Sequence, residues 1–148
     1  YVLFCYNLGG DKMKEKSCGC IIFKKENEKI KFLVLNQVLG HYGFPKGHVE
    51  RNETEKETAL REVKEETGLD ISFLGDYRKV ITYSPKPNTI KDVVYFIGTV
   101  KGGTLKPQEE EVSLIKWFDF EDAYKTITYK DDKNILLSAY NYIKDNNF

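Results

Sequence analysis

Residues 47–69 read GHVERNETEKETALREVKEETGL: a glycine, a polar turn, then a run of strong helix formers that stops at Gly68. The spacing predicts a helix over 54–67. At about 100° per residue, Ala59, Leu60, Val63 and Thr67 share one side, which is expected to bury. Glu62, Glu65 and Glu66 fall together on another side, with Arg61 at their border. Carboxylates three and four positions apart on a helix repel one another. Either this is a solvated face, or a cation sits among the three. A hard divalent ion such as magnesium takes several oxygen ligands, and carboxylates at i, i+3 and i+4 can deliver them to one point.

The rest of the chain supplies a sheet for that helix to cover. Residues 17–25 and 30–36 are short β-branched runs around a polar ENEK and predict a hairpin, with Cys18 and Cys20 on one face of its first strand as buried core thiols. Residues 37–52 predict a long loop, and loops of that length inside a domain usually carry function. Residues 71–83 and 92–100 predict longer strands joined through 84–91, and 112–120 another strand. A short helix is expected over 120–127. The tail 133–144 is amphipathic, with Ile135, Leu136, Ala139 and Ile143 on one stripe. Strands mixed with helices in this order predict an α+β fold, an α/β/α sandwich with a mixed β-sheet flanked by helices.

At 148 residues the chain is long enough for one domain with a real core. Its 23 basic and 23 acidic residues cancel, so no global field favours DNA or a membrane surface. Three cysteines, Cys5, Cys18 and Cys20, without C-x-x-C spacing argue against a disulfide framework and a zinc site, and predict reduced thiols in a cytoplasmic protein. The only methionine is Met13. Residues 1–12 are therefore expected to be either a leader ahead of a start at Met13 or an N-terminal extension adding an edge strand, with a single domain over 13–148. The apolar run in 1–12 is too short for a membrane span and has no basic flank before it.

The spacing in 47–69 is more specific than its charge. Gly47, five residues, Glu53, seven residues, Arg61, Glu62, Val63, one residue, Glu65, Glu66, one residue, Gly68, Leu69 fits G-x5-E-x7-R-E-U-x-E-E-x-G-U, with U aliphatic, at every position. From average residue usage such a match arises by chance about once in a billion windows. The chain resembles the Nudix hydrolases, and the strand order extends the likeness over nearly all of 13–148. The resemblance implies the Nudix fold and hydrolysis of a nucleoside diphosphate linked to another group, with Mg2+ or Mn2+ as cofactor. It implies Glu62, Glu65 and Glu66 as metal ligands, helped by backbone near Gly47. Arg61 would orient Glu53, and Glu53, Arg61 and Glu65 would belong to the catalytic set.

Outside the box, CGCIIF, GFPKGHVE and the C-terminal half resemble the asymmetrical diadenosine tetraphosphate hydrolases. The likeness implies substrate-binding roles for His41, Lys46, Tyr83, Lys91 and Tyr129: cations along the phosphates and aromatic planes at adenine. It implies a further catalytic and metal-side carboxylate at Glu111, six residues before Trp117, with Glu109 and Glu110 as alternatives in the same run. His48 is assigned no role. Arg51-Asn52 stands where many relatives have Pro-Gly. The expected reaction is metal-dependent asymmetric cleavage of diadenosine tetraphosphate, a small-molecule nucleotide, to ATP and AMP. Alternatives are pyrophosphate removal from an RNA 5′ end, clearance of oxidised nucleoside triphosphates, and a nucleotide sensor without catalysis.

Overall fold

The computed structural model describes residues 5–7 and 12–148, with side chains from Lys12 onward. Its elements run β1 (Cys5–Asn7), β2 (Met13–Glu26), β3 (Lys29–Gln37), β4 (Tyr42–Gly43), β5 (Lys46–His48), α1 (Glu55–Thr67), β6 (Leu69–Phe73), β7 (Lys79–Tyr83), β8 (Thr89–Gly103), β9 (Val112–Asp119), α2 (Phe120–Thr126) and α3 (Lys130–Asp145).

The spine of the sheet is a parallel pair. Residues 13–22 of β2 lie against residues 89–98 of β8 in unbroken register. The other edge of β2 is shared in turn by β1, β5 and β3, all antiparallel. β3 also carries β4 and β9, while β8 carries β7 and then β6. Side chains alternate across β2 as strand geometry requires. Ile21 and Phe23 pack with Val93, Tyr95 and Ile97 against Ala123, Ile135, Leu136, Ala139 and Ile143 of α2 and α3. Cys18, Cys20 and Ile22 face the opposite layer, with Ala59 and Val63 of α1. Both thiols are free and buried, and burial pushes Cys18 up to about 12. The expected sandwich is therefore present, with α1 on one face and α2 and α3 on the other.

Four local expectations are corrected. The run 71–83 is not one strand. It leaves the sheet over 74–78, burying Tyr77 with its hydroxyl 3.1 Å from Ser138 of α3, and β7 then pairs with residues 91–95 of β8 while β6 pairs beyond residue 97. The loop 37–52 contains β4 and β5, which pair with β3 and β2. Leu60 is exposed, not buried: α1 turns Thr58, Ala59, Glu62, Val63, Glu66 and Thr67 inward, so its buried stripe is rotated toward the glutamates. The three box glutamates are accordingly split, with Glu62 and Glu66 buried and Glu65 exposed. Of residues 1–12, the backbone of Cys5–Asn7 runs beside β2; residues 1–4 and 8–11 lie outside the described residues.

Candidate active site

The helix α1 is fixed at both ends by its own sequence. Thr54 Oγ1 accepts from the Glu57 amide at 3.1 Å, and the Glu57 carboxylate accepts from the Thr54 amide at 3.1 Å, a reciprocal cap. At the far end Gly68 takes a left-handed conformation (φ 79°) and its amide donates to Lys64 O at 2.9 Å. These caps fix where the helix starts and stops, and the packing of Ala59 and Val63 on β2 decides which carboxylates are buried.

Arg61 is the hub beside them. Its Nε donates to Glu53 Oε2 at 2.6 Å and its Nη2 to Glu53 Oε1 at 2.9 Å, a two-pronged charge-assisted pair. Nη2 also reaches His48 O at 2.9 Å, and Nη1 reaches Glu62 at 2.8 Å and Glu65 at 3.3 Å. Glu53 further accepts from Thr58 Oγ1 (2.8 Å) and the Glu50 amide (2.9 Å). Led by the Arg61 hydrogen bond, these donors lower its pKa to about 2. Loop, β5 and helix are thereby pinned together. In that loop Asn52 adopts a left-handed conformation (φ 69°), which asparagine tolerates better than most residues, so the loop turns there without glycine.

Glu66 sits behind this hub, buried, accepting from the Lys46 amide at 2.9 Å. Burial, and then the nearby charge of Glu62, push it up to about 9. Burial likewise raises Glu62, with Glu65 and Glu111 adding to the repulsion. Gly47 makes this closeness possible: a side chain there would overlap the Glu62 carboxyl group. Among the described residues no three acidic, histidine or cysteine side chains stand as a ready-made ligand cluster. Arg61 draws Glu62 and Glu65, and Lys46 engages Glu66. The donor set still fits a magnesium or manganese ion: hard carboxylate oxygens, two of them buried and raised by that burial and then by neighbouring carboxylates, a cost that a dication would offset.

Beside the box lies a cavity of about 650 Å3. His41, Lys46, Tyr83, Lys91 and Tyr129 all line it, as do Gly47, Glu66 and Glu111. Glu110 also reaches the wall, but Glu111 is the member of its run whose charge raises both Glu62 and Glu66. Glu53, Arg61, Glu62 and Glu65 stand outside the lining, on the helix side of β5. The His41 and Tyr129 rings lie 5.6 Å apart, tilted by 46°. Tyr83 and Tyr129 are both exposed enough to receive a ligand. Burial, then Lys46, lowers Lys91 to about 8, and burial with Lys46 lowers His41.

The sequence reading missed four polar residues around this chamber. His48 lines the cavity and its Nε2 lies 3.7 Å from Glu15, which is also 3.5 Å from Lys86. Tyr95 and Asp132 form a buried pair in the cavity wall. The alternation of β2 and β8 could have suggested Glu15 and Tyr95 as inward residues; nothing in the local sequence singles out Asp132.

A family model for the NUDIX domain matches residues 13–138. The chain belongs to the Nudix family. It is a Nudix hydrolase with the α+β fold of that family, and it resembles the asymmetrical bis(5'-nucleosyl)-tetraphosphatase of Sus scrofa, at 32% identity over 145 residues spanning 88% of this chain and 97% of that protein. The m7GpppN-mRNA hydrolase of Saccharomyces cerevisiae is 30% identical over 122 residues, 82% of this chain but 12% of that protein. Among solved structures, a binary complex of the Caenorhabditis elegans Ap4A hydrolase superposes with a TM-score of 0.80 at 27% identity, covering 88% of this chain and 98% of that one.

Proposed function

We propose that this Nudix hydrolase cleaves diadenosine tetraphosphate asymmetrically, with Mg2+ or Mn2+, to ATP and AMP. One observation carries the reading. A single cavity, within the range of small-molecule sites, brings the box carboxylate Glu66 and Glu111 together with Lys46, Lys91, His41, Tyr83 and Tyr129. A bound divalent ion neutralises phosphate charge and lowers the pKa of an attacking water. Glu62, Glu65, Glu66 and Glu111, with backbone at Gly47, would hold it. Arg61 and Glu53 keep loop and helix in register, so that Glu62 and Glu65 stay beside Glu66, which faces the chamber. Lys46, Lys91 and His41 lie along the phosphates, and Tyr129 and Tyr83 stack one adenine. Water adds to one phosphorus as the bridging P–O bond breaks, and the clamped adenosine fixes which phosphorus that is. The likeness to the tetraphosphatases over almost their whole length supports the same substrate.

The proposed enzyme is cytoplasmic and acts on a free nucleotide; among the described residues no helix is long and apolar enough to cross a membrane. The likeness to an m7GpppN-mRNA hydrolase makes a capped RNA one comparison substrate, tested with a 5′-triphosphorylated RNA and an oxidised nucleoside triphosphate beside it. The test is hydrolysis of this panel with magnesium in heavy-oxygen water. Diadenosine tetraphosphate should turn over fastest, giving ATP and AMP with the label in only one of them. Two ADP molecules, or faster turnover of the RNA or the oxidised triphosphate, would overturn the assignment.

A further inference from the structure

The floor of the cavity carries a hydroxyl that neither the box nor its flanking motifs use. Ser17, on β2, lines the cavity and is 1% exposed. Its Oγ is buried and makes no hydrogen bond among the described residues. A buried polar group ordinarily has a partner, and an unpartnered hydroxyl costs stability that the methyl of an alanine would not. Ser17 therefore carries a cost with nothing among the described residues to offset it.

The strand register shows what surrounds the hydroxyl. Side chains alternate along β2, so Glu15, Ser17 and Gly19 face the same side. Ser17 stands opposite His48 of β5 and Val93 of β8. On one flank Glu15 stands opposite Lys91, and on the other Gly19 stands opposite Lys46. Gly19 gives Lys46 its room: a side chain there would overlap the Lys46 Cβ and the Pro45 carbonyl. Lys46 and Lys91 thus bracket the hydroxyl on one floor, and both line the cavity. They are near enough that the charge of Lys46, after burial, lowers Lys91. An anion between them relieves that repulsion. A neutral donor at the same place adds a directed hydrogen bond to the anion without adding to the repulsion.

We propose that Ser17 is a phosphate-binding residue, its hydroxyl donating to a non-bridging oxygen of a phosphoryl group held between Lys46 and Lys91. This rests on the reading that the cavity takes a polyphosphate. As the chain stands, neighbouring side chains cover the hydroxyl. The lysines on either side have long, flexible stems, and a phosphate that draws their ammonium groups onto itself opens the floor beneath. The hydroxyl gains its partner only when the phosphoryl group is seated. It fixes the position of that group and adds nothing to the long-range pull on the anion.

The experiment measures binding of methylenediphosphonate, a nonhydrolysable pair of phosphoryl groups with no base, and of the β,γ-methylene analogue of ATP, each with magnesium. Ser17→Ala should weaken both by about tenfold or more, the scale of a lost hydrogen bond to a charged group. The melting temperature of this variant without ligand should stay level or rise, because it removes a buried atom that has no partner. The salt dependence of binding should be unchanged, since both lysines remain. Ser17→Cys fills the same place with a weak donor and should lose affinity likewise; it carries the test if Ser17→Ala does not fold. Unchanged affinity in the variants overturns the proposal, and a lowered melting temperature beside it would mark a hydroxyl satisfied within the fold. A loss of affinity with a flatter salt dependence traces the loss to the lysines and overturns it too. Cleavage of diadenosine tetraphosphate is scored separately. Affinity for the diphosphonate that depends on Ser17, in a protein that cleaves no tetraphosphate, keeps the phosphate seat and removes only the substrate assignment. No affinity for the diphosphonate in the unmodified protein removes the seat, whatever the protein cleaves.

Discussion

Lys91 shows how one residue's surroundings set its charge. It sits opposite Glu15 in the β2–β8 ladder, its ammonium half-buried and close to Lys46, and burial followed by that second positive charge brings it to about 8. Below that value the amine is charged and attracts phosphate; above it the attraction fades. We expect kcat/KM for a polyphosphate substrate to fall as the pH rises through about 8, since this ratio reports groups of the free enzyme. Lys91→Arg, which stays charged throughout, should move that fall to higher pH. Superimposable profiles of the two proteins from pH 6 to 10 would show that Lys91 does not govern binding. For stability the sign is opposite: the unfolded chain binds the extra proton between about 8 and 10.5, so this residue makes the fold more stable as the pH rises across that window.

At the scale of elements, the join between loop and α1 depends on Glu53 and Arg61 acting as one unit. Glu53→Gln and Arg61→Gln should each destabilise the protein, and the double variant should cost less than the sum, with a coupling of roughly 1–3 kcal/mol in urea unfolding at pH 7. Because Glu53 is lowered from 4.5 to about 2, the contribution is fully present above 4.5 and is lost as the pH falls through about 2. Strict additivity at pH 7 would show that the pair does not hold the loop. The helix itself was legible in the sequence because its instructions are local: Thr54 and Glu57 cap one end and Gly68 the other. The box spacing is local too, and with the likeness to tetraphosphatases it named five residues that do line one cavity. What escaped is set by distant partners. β4 and β5 are strands only because β3 and β2 lie beside them. The break at 74–78 depends on Tyr77 reaching Ser138 of α3, and Leu60 is exposed because the whole helix is seated on its glutamate side. Asp132 has its partner on β8, far back along the chain.

For the molecule as a whole, burying Glu62 and Glu66 beside further carboxylates is a cost that the fold carries by itself. Anything that binds the folded state alone stabilises it by mass action, about 2.7 kcal/mol at a hundred times the dissociation constant. Millimolar magnesium should therefore raise the melting temperature by several degrees and chelator should return it. Glu66→Gln, which removes a buried carboxyl group that the ion would engage, should shrink that rise; an equal rise in both proteins would place the ion elsewhere. The long parallel pairing of residues 13–22 with 89–98 has a different kind of consequence. Its strands are separated by the hairpin, the loop, α1 and two further strands, so the chain must close a large loop before the pairing rewards it, and non-local topologies of this kind fold slowly. The capped helix with its glutamates can form from nearby residues. The chamber cannot, because Tyr83, Lys91 and Tyr95 come into place only when β8 docks on β2. During refolding, helical signal should recover ahead of nucleotide binding, and the edge of β2 waiting for β8 is where two unfinished chains would stick together.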